Sequence, residues 1–232
     1  LMGEAGIDYQ AKGLELLVKK KRFPALVSIG EDLSTFLGLW VAEGSYNRED
    51  TVRISVSSEE SGSAAALCRK LFGHVSIYNK GKGSDIYIGS RPLYVFMRHV
   101  LGLRDGAGRK SMPEIAFSMD RRNLSAFLRG YFSGDGSIYK NQHGTHMVEA
   151  ATASRALADD ILYLLLRFGI VGRIYGKKEW TGKPSWRVYL NGAEQLRGFR
   201  EISFLDEKRK NKLGSYISSV RWFRSDQIPV IG

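Results

Sequence analysis

Two stretches, FLGLWVAEG at residues 36–44 and FLRGYFSGDG at residues 127–136, carry apolar residues at helical spacing and end alike, on a small residue, a carboxylate and a glycine. Apolar positions recurring three and four apart predict helices that bury a broad face. The first is followed by TVRISVSSEESGSAAALCRKLFGHVSIY (51–78) and the second by MVEAATASRALADDILYLLLRFGIVGRIY (147–175). Each reads as a short alternating strand, a polar helix start, an amphipathic helix, and a Phe-Gly turn into another strand. DIYIGSRPLYVFMRHVLGL (85–103) and WRVYLNGAEQLRGFREISFL (186–205) complete the two series.

Laid over one another, the two series place Gly38 on Gly130, Glu43 on Asp135 and Gly44 on Gly136 at one constant offset, and then Phe72-Gly73 on Phe168-Gly169 and Tyr78 on Tyr175. The offset only grows, in Gly- and Lys-rich stretches such as GKKEWTGKP, as loop insertions between equivalent elements require. The chain therefore reads as an N-terminal extension (1–30), a first half (31–119), a second half (120–214) and a C-terminal tail (215–232). Each half runs helix, strand pair, helix, strand pair, helix. A repeat this long is not a solenoid period. Two equivalent units paired about a pseudo-two-fold axis are its natural arrangement.

Asp32 or Ser34 is placed to cap the first motif helix, Asn123 or Asp120 the second, and Gly44 and Gly136 to stop them. Each acid then sits on the last turn. Small residues one turn apart, Gly38 with Ala42 and Gly130 with Gly134, permit two helix backbones to approach closely. Helices paired along that face would bring Glu43 and Asp135 together, where their charges and the negative ends of both helix dipoles repel. A hard divalent cation held by the two carboxylates and by backbone carbonyls, those of Ala42 and Gly134, would answer that repulsion. The competing reading is that each acid merely ends a helix in water.

The formal net charge of +11 and pI near 9.7 point to a polyanionic partner, with a solvated basic surface as the alternative. Hydrophobic residues at 43% and charged residues at 25% are ordinary for a folded domain. Cys68 is the sole cysteine, which excludes an internal disulfide and a zinc site built on paired cysteines. The longest apolar run is too short for a bilayer, and LMGEAGIDYQ lacks the order of a secretion signal, so an intracellular protein without membrane attachment is expected. HGTH (143–146) has no third ligand at useful spacing and reads as a loop. No Gly-Lys phosphate loop is present, against ATP use.

FLGLWVAEG and LRGYFSGDG resemble the two signature motifs of the LAGLIDADG homing endonucleases, of the single-chain type that carries both motifs and occurs in introns and inteins. The resemblance runs from Asp32 to about Leu213. It implies an α+β fold of two pseudo-symmetric αββαββα halves whose antiparallel sheets form a DNA-binding saddle. It also implies a monomeric, metal-dependent endodeoxyribonuclease that makes double-strand breaks at a specific duplex site, in the cytoplasm or nucleoid of a prokaryote or in an organelle. Mg²⁺ is the expected cofactor, with Mn²⁺ able to replace it and Ca²⁺ expected to bind without supporting cleavage. The alternative within the same fold is an RNA maturase or a DNA-binding regulator that does not cut. This sequence departs from the family pattern in two ways: Glu replaces Asp in the first motif, which keeps a ligand on a side chain one methylene longer, and Val41 and Ser133 replace the first acid of the name-giving string. The ends of the chain show neither a splicing Cys or Ser nor a His-Asn pair, so no splicing domain is expected within it.

Carried over from the family, Glu43 and Asp135 are the metal-binding acids that cleave the strands. A basic residue late in each half supports them: Lys110 in GRKSMPEIAF, and Lys208, Arg209 or Lys210 in FLDEKRKNKL, with Lys208 and Lys210 as the candidates retained. Each is equally readable as an exposed loop charge or a phosphate contact. Ser57 or Ser58, and Thr152 or Ser154, match the family's polar active-site neighbours or serve as helix caps. Outward strand residues are expected to face DNA: Tyr46, Arg53, Ser55, Ser57, Lys80, Lys82, Tyr87, Tyr139, Lys140, Arg173, Lys177, Lys178, Lys183 and Arg187. VKKKRF (18–23) reads either as a contact to flanking DNA or as a solvated basic helix end.

Overall fold

The computed structural model describes residues 15–18, 21–24, 27–178, 182 and 184–219. A two-stranded antiparallel hairpin comes first, β1 (Glu15–Val18) with β2 (Lys21–Pro24). The basic stretch that admitted a helix end is therefore strand on both sides. Pro24, with its fixed φ and no N–H, is compatible with the end of an edge strand and not with a helix interior.

The first half then runs α1 (Glu31–Glu43), β3 (Gly44–Tyr46), β4 (Thr51–Ser57), α2 (Ser61–Phe72), β5 (Ser76–Lys80), β6 (Gly83–Gly89) and α3 (Arg91–Val95), the last continuing into a π-turn over Phe96–Val100. A short helix α4 (Ile115–Ser118) leads to the second half: α5 (Arg121–Asp135), β7 (Gly136–Lys140), β8 (His146–Thr152), α6 (Arg155–Leu166), β9 (Arg173–Lys178), β10 (Pro184–Asn191) and α7 (Ala193–Phe199). Helix α8 (Glu207–Ser219) follows. The sheets have the strand orders β3-β4-β6-β5 and β7-β8-β10-β9. Their registers repeat: Gly44 faces Ile54 and Gly136 faces Ala150, while Ile54 faces Ile86 and Ala150 faces Val188. The fold is two pseudo-symmetric halves, each an antiparallel sheet with helices on one face.

Helices α1 and α5 form the middle of the molecule. Every residue of α1 from Leu33 to Ala42 is buried, the pattern of a helix surrounded on all sides rather than an amphipathic one. Phe36, Trp40, Phe127, Tyr131 and Phe132 have no exposed surface. Side chains of this size contribute about 1.5–3 kcal/mol each on burial, so this helix pair anchors the core. The contact is possible because of two glycines. A Cβ at Gly38 would lie 1.8 Å from the Phe127 carbonyl oxygen, and one at Gly130 would lie 2.0 Å from the Thr35 oxygen. Each helix thus lays bare backbone against bare backbone, as the small-residue spacing predicted.

The helix ends differ in part from expectation. Asp120 caps α5, its Oδ1 accepting from the Asn123 N–H at 2.8 Å. For α1 neither Asp32 nor Ser34 is the cap: the helix starts one residue after Gly30, which offers no side chain, and the Gly30 carbonyl accepts from the Ser34 N–H. Asp32 instead lies in the first turn, where it complements the helix dipole and pairs with Lys70 at 2.6 Å. Gly44 and Gly136 do end their helices, but in extended backbone (φ −83° and −90°), leading directly into β3 and β7. Their smallness is steric: a Cβ would meet the Trp40 ring at 2.3 Å or the Phe132 oxygen at 2.1 Å. Gly73 and Gly169, by contrast, follow Phe72 and Phe168 at φ 76° and 72°, the left-handed turn that glycine permits.

Gly38→Ala and Gly130→Ala are expected to cost at least about 3 kcal/mol each in equilibrium denaturant unfolding, because backbone atoms cannot yield as side chains do. Gly62→Ala, at an open position in α2, should leave stability unchanged or slightly higher in the same measurement.

Candidate active site and nucleic-acid interface

The crossing of α1 and α5 delivers their C-terminal acids to one place. A Cβ on Gly134 would lie 2.5 Å from the Ala42 Cβ and 2.9 Å from the Glu43 Cγ, so the Glu43 stem rests on the last turn of α5. Glu43 and Asp135 are both half-buried, open to solvent on one side. Burial is the main cause that raises the Asp135 carboxyl to about 8, with the negative charge of Glu43 adding to it and Lys110 opposing. Burial likewise raises Glu43, again against the attraction of Lys110. The acids titrate high chiefly because the site is poorly hydrated, with a like charge adding to each, Glu43 for Asp135 and Glu60 for Glu43.

Lys110 is the cation of this site. It comes from the loop before α4, and its ammonium donates to the Ala42 carbonyl at 2.5 Å. It also lies over the Trp40 ring at 5.8 Å. Burial lowers its pKa, while Asp135, Glu43 and Asp105 pull it upward. The lysine thus uses one of the two backbone carbonyls that the sequence offered to a metal.

The basic residue at the matching place in the second half is Arg209. Its guanidinium donates to the carbonyls of Ser133 and Gly136, each at 2.8 Å, at the end of α5. It pairs with Glu60 and Asp206 and stacks over Phe204 at 4.8 Å. Lys208 and Lys210, the retained candidates, point elsewhere: Lys208 pairs with Glu59 and Lys210 with Glu207, both at 2.6 Å. On α8, neighbouring positions project in different directions, so a shift of one residue separates the helix end from the solvent. Glu60, whose charge also raises both site acids, was missed in the SSEE run because it reads as a polar helix start. In the structure Glu60 accepts from the Ser57 N–H and hydroxyl, the latter at 2.7 Å. Neither Ser57 nor Ser58 caps α2. In the second half the cap is Ser154, whose hydroxyl accepts from the Leu157 N–H at 3.2 Å, while Thr152 accepts from the Ser154 N–H.

On the sheets, alternation sorts the interface candidates. In β4, Val52, Ile54 and Val56 are buried against the helices, and Arg53, Ser55 and Ser57 point away from them. Arg53, Ser55, Lys80 and Tyr87 converge on Asp85: Ser55 donates at 2.8 Å, Tyr87 at 3.3 Å, Arg53 lies at 3.8 Å, and Lys80 forms a close ion pair. Burial alone would raise the Asp85 carboxyl, but the bonds from Lys80 and Ser55 and the charges of Lys80 and Arg53 hold it below its ordinary value. In the second sheet Glu149 plays this part, accepting from the Tyr139 hydroxyl at 2.7 Å and from Arg187 at 2.8 Å. Lys82 is exposed in the β5–β6 turn, and Lys140, Arg173 and Lys177 are exposed at the edges of the second sheet. The side chain of Lys178, and Lys183, lie outside the described residues.

Tyr46 is a correction. It faces Val52, on the core side of the sheet, where its ring packs on Trp40 (4.8 Å) and Tyr94 (5.0 Å) and its hydroxyl donates to the Leu103 carbonyl at 2.9 Å. β3 is only three residues long, and Ser45 takes its outward position. HGTH is a loop leading into β8, with His146 stacked on Tyr216 at 3.8 Å. Among the described residues no group of three or more His, Cys, Asp or Glu is arranged to hold a metal, and no helix is long and apolar enough to cross a membrane.

Paired central helices with C-terminal acids and two outward antiparallel sheets define the LAGLIDADG fold. Residues 122–203 match the family described as the LAGLIDADG-like domain. The structure is similar to that of I-DmoI in complex with DNA and Mn, with a TM-score of 0.57 at 15% identity, covering 75% of this chain and 97% of that one. It is also similar to full-length DUF199/WhiA from Thermatoga maritima, with a TM-score of 0.56 at 15% identity, covering 87% of this chain and 64% of that one. In sequence, the chain is 31% identical over 191 residues to the replication factor C small subunit of Methanocaldococcus jannaschii, covering 79% of this chain and 10% of that protein. It is 33% identical over 221 residues to the DNA polymerase II large subunit of Thermococcus kodakarensis, covering 84% and 12%. The chain thus spans about a tenth of the length of these curated relatives.

An acid that titrates higher in the native than in the unfolded chain supports the native state most below its unfolded pKa, and that support is lost as pH rises through the folded value. In EDTA, thermal unfolding of the unaltered protein should therefore shift to lower temperature as pH rises from about 4 to about 8. Asp135→Asn should flatten this dependence and be the more stable protein at pH 8.5; an equal difference at all pH values would contradict the assignment.

Proposed function

We propose that this chain is a site-specific DNA endonuclease that hydrolyses phosphodiester bonds with a divalent cation, Mg²⁺ or Mn²⁺, held by Glu43 and Asp135. The observation that carries this reading is the meeting of the two acids at the ends of α1 and α5, between the two sheets, with Lys110 as their neighbour. The donor set suits such a cation: its side-chain ligands are carboxylates only, and burial holds both above their ordinary range despite the nearby Lys110. Backbone carbonyls at the helix ends, Gly134 among them, complete an all-oxygen set. When bound, the metal would supply a Lewis acid and an activated water.

The rest falls to the chain's own residues. Glu43 and Asp135 orient whatever occupies the site and, when ionised, accept the proton of an attacking water. Lys110, once released from the Ala42 carbonyl, is placed to hold a non-bridging phosphate oxygen and to offset charge developing on phosphorus. Arg209 neutralises Glu60 and fixes the end of α5, which keeps Asp135 in position. The outward faces of β3–β6 and β7–β10 form the saddle that takes the duplex. Arg53, Ser55, Lys80, Lys82, Tyr87, Tyr139, Lys140, Arg173, Lys177 and Arg187 make contacts there, and the net charge of +11 assists association. The working unit is a monomer whose halves, 31–119 and 120–214, each serve one half-site.

The relatives support an origin as a mobile insert. A segment that matches most of this chain recurs as about a tenth of a replication factor C small subunit and of a DNA polymerase II large subunit. Such recurrence is what an intein-borne endonuclease produces. The similarity to WhiA favours a second reading, a DNA-binding protein of the same fold that does not cut.

Incubation with Mg²⁺ and a randomised duplex library, followed by sequencing of the ends, should recover specific double-strand breaks. Glu43→Gln and Asp135→Asn should each lower cleavage at least about a hundredfold while leaving duplex affinity within a few fold. Specific binding without breaks by the unaltered protein would select the second reading.

A further inference from the structure

The two sheet faces carry the same ion pair written in opposite directions. Register makes Arg53 of β4 equivalent to Glu149 of β8, and Asp85 of β6 equivalent to Arg187 of β10. Arg53 faces Tyr87 and Glu149 faces Tyr189, while Ser55 faces Asp85 and Ala151 faces Arg187. In each sheet the pair is diagonal across the two central strands. In each, the acid is the buried partner: the side chains of Asp85 and Glu149 are 6% and 11% exposed, those of Arg53 and Arg187 35% and 36%.

That division of burial separates these pairs from ordinary surface ion pairs. An acid sunk into the sheet cannot reach a base edge, but it holds a guanidinium that can. Arg53 is fixed twice, by Asp85 and through its Nε donating to the Ser45 hydroxyl at 2.8 Å. Arg187 gives one N–H to Glu149 at 2.8 Å, and its Nε is buried with no partner. Arginine held in this way loses less side-chain freedom on binding, and its free edge has the fork geometry that matches O6 and N7 of guanine in the major groove.

We infer that Asp85 and Glu149 are positioning residues that set Arg53 and Arg187 to read guanine, and that the reversed order of the pairs places the two arginines one strand apart in the two half-sites. This rests on the reading of the sheet faces as a duplex-binding surface. The spacing between neighbouring strands, about 4.8 Å, is somewhat more than one base-pair step of about 3.4 Å. The guanine contacts of the two halves therefore fall at base pairs that the pseudo-two-fold does not relate.

The test restores symmetry by moving a charge. In Glu149→Arg/Arg187→Glu the ion pair is kept and the guanidinium is carried from β10 to β8, the position Arg53 occupies in its own sheet. The unaltered protein, this double variant and Glu149→Gln are each mixed with a randomised duplex pool in Ca²⁺, and bound duplexes are separated by electrophoresis and sequenced. The double variant should keep a single cooperative unfolding transition, which shows that it folds, and should retain enough duplex for its bound pool to be sequenced. Its preferred guanine in one half-site should move by one or two base pairs. Glu149→Gln, a milder change, should lower guanine preference at the original pair about tenfold and leave the other half-site unaltered. Base preferences identical to the parent in both variants would overturn the assignment and leave the pairs as structural. Failure of the parent to retain any duplex would instead remove the DNA-binding reading on which it stands.

Discussion

Everything at the centre of this molecule depends on two helix backbones touching. At Gly38 and Gly130 no side chain fits between them, and that closeness brings the last turns of α1 and α5 within reach of each other. The acids that end the helices are then crowded with no freedom to separate, because each is followed at once by a strand anchored in its own sheet. The high titration of Asp135 and Glu43 follows from packing several residues away. The helix contact, made for burial, forces an electrostatic problem at the helix ends that calls for a positive charge. In the structure Lys110 takes part of that role.

The halves are alike in backbone and unlike in chemistry. Lys110 carries a single positive charge on a flexible stem and donates to one carbonyl of α1. Arg209, at the matching place on α5, is committed to two backbone carbonyls and two carboxylates at once. A guanidinium held by so many partners is a structural pin, fixed in place and always charged, whereas a desolvated lysine can move and can titrate. The sheet faces diverge in the same manner, with equivalent strands carrying opposite charges. Duplication preserved the positions and let the residues separate, so each half is free to meet a different surface.

The burial of Asp85 and Glu149 also qualifies the basic character of the chain. The positive residues on the outward strands are not simply solvated: Arg53, Lys80 and Arg187 are held by acids set into the sheet. Pairing costs some attraction for a polyanion, and in return the charged groups have defined places. A surface that only needed to be basic would not bury acids beneath its arginines.

The repeat of motif, strand pair and helix was legible in the sequence because hydrophobic periodicity and glycine placement are local properties, and they specify the same element series twice. For the same reason the small-residue face of α1 and α5, the Phe-Gly turns and the acids at the helix ends could be read directly. Side-chain direction and partner choice were decided by the tertiary structure. Tyr46 turned inward because a three-residue strand fixes which face each residue takes. Arg209 rather than Lys208 or Lys210 reached the end of α5 because one residue of register on α8 redirects a side chain. Asp85 and Glu149 became hubs only when strands distant in sequence came into register, and Glu60 only when α8 brought Arg209 to it. A sequence lists its charges, but the sheet register and the helix crossing determine which of them are close enough to interact.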